Sequence, residues 1–126
     1  MENEVTEILD TERFIPAAGQ GTIAIECRKD SHGMREMLSA IQHIPTHHAT
    51  MAERSVLSAI GGSCRTPIGA YARVTGESLV LNTMIAKPDG SAHAHATRKG
   101  HVNDAEAMGL EAGRELMSQG GKDWFS

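Results

Sequence analysis

Residues 68–91, Ile68-Gly69-Ala70-Tyr71-Ala72-Arg73-Val74-Thr75-Gly76-Glu77-Ser78-Leu79-Val80-Leu81-Asn82-Thr83-Met84-Ile85-Ala86-Lys87-Pro88-Asp89-Gly90-Ser91, hold two apolar-rich runs separated by compact turns. The runs cover about 68–74 and 78–86, and a third follows at about 91–98. Thr75-Gly76-Glu77 and Lys87-Pro88-Asp89-Gly90 are too short for a parallel crossover, so the three strands are expected to form an antiparallel meander. Upstream, Thr50-Met51-Ala52-Glu53 reads as a capping box, with Thr50 as the cap and Glu53 reaching back to it. That helix runs to Ile60 and stops at Gly61-Gly62. Downstream, Asn103 caps a last helix and Glu106 completes its box. Met108, Ala112 and Leu116 lie near one face, and Gly120-Gly121 ends the helix. Residues 44–126 therefore read as one α-β-β-β-α domain of the α+β class, with a core between a sheet and two helices.

Residues 1–43 do not close a core of their own. The first fifteen are polar and acidic, with Val5, Ile8 and Leu9 as a weak helical stripe. Pro16 to Gly21 is a loop, rich in small residues and reading as a hinge. Thr22 to Arg28 alternates and is rich in Ile, the pattern of a strand. Met34, Met37, Leu38 and Ile41 share one face of a helix at about 34–41. Ile44 to Ala49 is a connector in which Pro45 limits helix. A strand at 22–28 without a sheet has open backbone edges, so self-association through it is expected.

The 126 residues suit one ordinary domain, and 40% apolar with 22% charged is the composition of a globular chain. A formal net charge of −4, with basic residues dispersed, argues against nucleic acid or an anionic membrane as partner. No apolar run reaches the length of a membrane span, and two cysteines in unlike settings make no disulfide framework. Cytoplasm is the expected compartment.

The chemistry points to Gly61-Gly62-Ser63-Cys64-Arg65-Thr66-Pro67, a loop that presents one thiol between a helix end and a strand start. A thiol is a strong nucleophile once its pKa falls, and Arg65 beside it acts in that direction. Gly19-Gln20-Gly21-Thr22-Ile23-Ala24 fits a G-x-G-x-x-A pattern but precedes a strand, the wrong context for a dinucleotide site. His43, His47 and His48 form one histidine group, and His93 with His95 share a strand face. Neither has the acidic or thiol companions of a zinc centre, so no metal is expected. Cys27, on the Ile-rich strand, reads as inert packing.

The ordered set of motifs resembles hydroxymethylbilane synthase, also called porphobilinogen deaminase. The Cys64 loop resembles that family's Gly-(Gly/Ser)-Cys-x-x-Pro-(Ile/Val) loop. Phe14-Ile15-Pro16-Ala17-Ala18-Gly19-Gln20-Gly21, with Ile23 to Arg28 after it, is similar to its Leu-Pro-Ala-x-Gly-Gln-Gly-x-x-x-x-Glu-x-Arg segment. Ala52-Glu53-Arg54, Pro88-Asp89-Gly90 and Asp104-Ala105-Glu106 follow in the family's order, and the likeness runs from about residue 8 to the end. Family members are much longer, and everything absent lies on the N-terminal side. Met1 then reads as the start of a truncated or split product, with residues 1–43 a remnant of the N-terminal domains and 44–126 the cofactor-anchoring domain.

The resemblance implies a covalent dipyrromethane cofactor joined to Cys64 by a thioether, with Gln20 and Gly21 beside the cofactor cleft. For Arg65 three readings stay open: lowering the thiol pKa, touching a cofactor carboxylate, or facing solvent. The implied reaction joins four porphobilinogens head to tail, with loss of ammonia, into a linear polypyrrole. The family's catalytic aspartate and most of its substrate-pairing arginines fall in the absent portion, so no catalytic residue is expected here and the chain alone is expected to be inactive. The implied partners are porphobilinogen, the growing polypyrrole and the missing N-terminal portion. The competing expectation is a non-catalytic α/β interaction module that keeps the fold without the cofactor.

Overall fold

The computed structural model describes residues 4–61, 67–121 and 124. Two helices, α1 (His32–Ala40) and α2 (Ile44–Ile60), precede three strands, β1 (Ile68–Thr75), β2 (Ser78–Ala86) and β3 (His93–His101). A 3-10 turn at Val102–Asp104 leads into α3 (Ala105–Leu116), and a wide turn follows at Met117–Gly121. The strands lie in the order β1-β2-β3, each antiparallel to its sequence neighbour, with Thr75 opposite Ser78 and Ala86 opposite His93. The expected α+β meander is present. At Pro88–Gly90 the Asp89 carboxylate accepts the Ser91 amide proton at 2.9 Å, and that bond holds its pKa below the usual range.

Alternation along the strands decides the core. Ala70, Ala72, Leu79, Leu81, Ile85, Ala94 and Ala96 are buried on one face, against Val56 of α2 and Met108, Ala112 and Leu116 of α3. Thr83 is the polar member of that face, and its hydroxyl donates to the Ala96 carbonyl at 2.7 Å. The two helices cross closely because α3 presents glycines. A Cβ at Gly113 would stand 2.6 Å from the Ala59 Cβ and 2.9 Å from the Val56 carbonyl oxygen. One at Gly109 would collide with the Ala52 carbonyl. The opposite face of the sheet carries His93, His95, Thr97 and Lys99, all exposed.

Several boundaries differ from the expectations. Helix α2 begins six residues before Thr50, so the Thr50–Glu53 capping box does not form. The cap is His43, whose Nδ1 accepts the Thr46 amide proton at 3.3 Å, and Pro45 sits in the first turn, where its missing N–H costs no helical bond. Asn103 is likewise no α-helix cap; its amide donates to His101 Nδ1 at 3.1 Å inside the 3-10 turn. The Val5–Ile8–Leu9 stripe forms no helix and is exposed.

The expected strand at 22–28 is not formed. The segment has no ladder partner among the described residues, and an isolated strand has no bonds to hold its pleat. Cys27 is accordingly exposed and not packed, and Ile23 is 89% exposed. The helix expected at 34–41 forms as α1 but buries no residue. Residues 22–43 are thus an arm lying beside the body made by α2, the sheet and α3.

Candidate functional site

Cys64 and Arg65 lie outside the described residues, but both ends of their loop are fixed. Gly61 closes α2 in the left-handed conformation, φ 66°, with its amide on the Leu57 and Ser58 carbonyls. At the other end the Pro67 carbonyl accepts the Ala86 amide proton at 3.1 Å, tying the strand start to β2. Five residues separate this capped helix from this paired strand in the sequence.

The 16–21 loop is held through a residue that sequence reasoning assigned elsewhere. Glu53 is 6% exposed, and its two carboxylate oxygens serve two separate segments. Oε1 accepts the Ala72 amide proton at 2.8 Å and Oε2 accepts the Gly19 amide proton at 2.7 Å. Burial raises the Glu53 pKa, and the two amides oppose that rise only in part. The next amide along the free edge of β1, Ala70, donates to the Pro16 carbonyl at 2.9 Å, and Glu12 pairs with Arg73 at 2.9 Å. Pro16 and Glu53 thus occupy the edge of β1 that a fourth strand would otherwise take. Gly69 permits the approach, since a Cβ there would stand 2.7 Å from the Ile15 carbonyl oxygen. The one sequence signal for this role is an acid on the face that also carries Ala52 and Val56, a buried stripe of α2.

Gln20 and Gly21 are exposed at the tip of the loop. Gln20 Oε1 accepts the Ala17 amide proton at 3.3 Å, so this side chain is turned onto its own loop. Gly19 and Gly21 both take positive φ, 71° and 83°. Nothing among the described residues brings Gln20 or Gly21 to the fixed ends of the Cys64 loop. An open groove of about 570 Å³ lies between the arm and α2, lined by Ile23, Ile25, Arg35, Leu38, His43 and His47 among others. It sits at the amino end of α2, and Thr50, the lining residue furthest along the helix, is about 16 Å by helical rise from Gly61. The His93 and His95 rings lie 5.1 Å apart, and no three of His, Cys, Asp or Glu converge among the described residues. No helix among these residues is long and apolar enough to cross a membrane.

Known proteins place this geometry in context. The family model for the porphobilinogen deaminase C-terminal domain matches residues 48–118, and that for the porphobilinogen deaminase dipyromethane cofactor binding domain matches residues 1–36. The chain is 42% identical over 126 residues to a porphobilinogen deaminase of Nitrobacter hamburgensis and 41% identical to that of Nitrobacter winogradskyi, covering all of this chain and 40% of each relative. A Coxiella burnetii porphobilinogen deaminase is 39% identical over 121 residues, covering 96% of this chain and 39% of the relative. The chain therefore spans about two fifths of the length of these relatives. With a C-terminal-domain match that takes in most of α2, the whole sheet and α3, this chain belongs to the porphobilinogen deaminase family.

Proposed function

We propose that this chain is the cofactor-carrying carboxyl-terminal part of a porphobilinogen deaminase, a transferase of tetrapyrrole and heme biosynthesis that works in the cytoplasm. The observation that carries the reading is the likeness to porphobilinogen deaminases over the entire chain, with the two residues that flank the Cys64 loop fixed, Gly61 by the cap of α2 and Pro67 by its bond to β2. Cys64 anchors a dipyrromethane through a thioether, and the bound group supplies the pyrrole terminus to which porphobilinogen units are joined with loss of ammonia. The protein's part is to hold that anchor still at its base. The clamped loop ends fit this task, because a tether that moved at its root would let the growing polypyrrole lose its alignment. In this reading Gln20 and Gly21, exposed on their loop, turn toward the cofactor only in the longer enzyme, and Arg65 adjoins Cys64 in sequence.

Residues 1–43 act as the joining segment to the rest of the enzyme. In this chain by itself, the 22–28 segment with its exposed Ile23 and Ile25 is the surface through which two copies associate. Light scattering over a dilution series tests this: mass rises with concentration in the native chain and stays at that of a monomer in Ile23→Lys/Ile25→Lys. A native chain that is monomeric throughout removes the idea.

The chain alone is expected to form no uroporphyrinogen from porphobilinogen, since the residues implied to carry the chemistry belong to the longer relatives' remaining length. The decisive experiment is the intact mass after co-expression with the N-terminal portion of a related deaminase. A dipyrromethane-sized addition on Cys64, absent in Cys64→Ser, supports the reading. A bare thiol with the two parts folded and bound favours a non-catalytic interaction module.

A further inference from the structure

We propose that Glu53 is a positioning residue whose two-way clasp on Gly19 and Ala72 fixes the 16–21 loop and thereby holds the 22–43 arm against the body. The inference stands on the geometry of the clasp and is independent of the function proposed above. The chain before the loop is fastened separately, by Glu12 on Arg73 and by Pro16 on Ala70. The arm beyond the loop is fastened weakly. Helix α1 buries no residue, and the described side-chain bond from the start of the arm to the body is one contact between the Thr22 and Thr50 hydroxyls at 3.3 Å. Gly19 is thus the last firm attachment before the arm, and Glu53 makes it.

The backbone on either side of that attachment is built to turn. Gly19 and Gly21 lie at positive φ with open space where their side chains would be, so no packing restrains them. What stops rotation is the Gly19 N–H on a buried carboxylate, a charge-assisted bond stronger than a neutral one. A carboxylate alone suits both partners, because it accepts at each oxygen. The amide of a glutamine turns one donor toward a donor and leaves a buried N–H unpaired. No cation neutralises Glu53 among the described residues. The 16–21 loop and β2 carry no acidic or basic side chain. Tyr71 and Arg73 of β1 alternate to the opposite face of the sheet from Ala72, and Arg73 is paired with Glu12. Arg54 of α2 is exposed, as are Glu106, Glu111 and Arg114 of α3, while Glu115 bonds Arg98. The amides are therefore its counterparts.

Amide exchange measured by NMR on the full chain tests the clasp. In Glu53→Gln, Gly19 is expected to lose about ten- to hundredfold of its protection, with Gln20 to Thr22 following, while Leu81 and Ala112 lose only what the drop in global stability dictates. The core truncation Val56→Ala serves as control and should lower protection everywhere without singling out Gly19. Gly19 remaining as protected, relative to the core, as in the native chain overturns the proposal, and so does an equal selective loss in Val56→Ala. Should Glu53→Gln fail to fold, the native chain still decides. The Gly19 and Ala72 amide protons are expected to shift together with the Glu53 carboxyl carbon as it titrates. A Gly19 proton that ignores that titration overturns the clasp.

Discussion

Glu53 shows how one carboxylate can replace a missing strand. Two amides from segments 34 and 19 residues away converge on it, and the Ala72 amide left alone in that setting would be a buried orphan. Glu53→Gln is expected to lower unfolding free energy by about 1–3 kcal/mol, read by urea denaturation. The pH dependence has a definite sign. The folded pKa is raised above the ordinary value of 4.5, so this group's stabilising contribution is full below that value and is lost as pH rises through the raised one. The stability of the native chain minus that of Glu53→Gln should therefore fall as pH climbs from about 4.5. A difference that grows over that interval would show instead that the two amide bonds to the carboxylate outweigh its burial. From sequence, Glu53 was misread for a physical reason: Thr-x-x-Glu has the spacing of a capping box, and spacing says nothing of which oxygen is turned inward.

Among the elements, the sheet was legible because its information is local. Period-two alternation and two tight turns fix strands, order and facing residues with no knowledge of distant contacts. The start of α2 was not legible. Pro45 carries the same letter whether it stops a helix or opens one, and only the His43 cap distinguishes the two. The strand expected at 22–28 failed for the opposite reason, a strand-like local pattern with no partner among the described residues. The α2–α3 crossing was half legible: Met108, Ala112 and Leu116 were read as the buried face, while the glycines between them passed unremarked. Gly113→Ala must push Ala59 or the Val56 carbonyl aside, and it is expected to cost about 1–3 kcal/mol by the overpacking of a close helix contact. A urea midpoint unchanged from the native chain would count against so tight a crossing. At the candidate site, the sequence singled out Cys64 from its neighbours in the loop, and the structure adds the fixed ends at Gly61 and Pro67.

At the scale of the whole molecule the chain divides into a packed body and an arm that covers it lightly. Limited trypsin digestion should cut first at Arg28, Lys29 or Arg35, where the backbone is exposed and α1 buries nothing, and leave a resistant product that contains α2, the sheet and α3. Early cuts at Arg73 or Arg98 would mean that the body is less stable than its packing implies. The strand order also bears on how the chain reaches this state. Each strand finds its partner across a tight turn, so the sheet can zip from two hairpins in microseconds without a long search. The bond between Glu53 and Gly19 closes a circuit of 34 residues around the arm and depends on an edge that exists only once β1 is in place. The arm is consequently the last part of the chain to come to rest and the first to lift away, so that during synthesis and turnover alike its exposed isoleucines and methionines are the surface a chaperone or a protease meets.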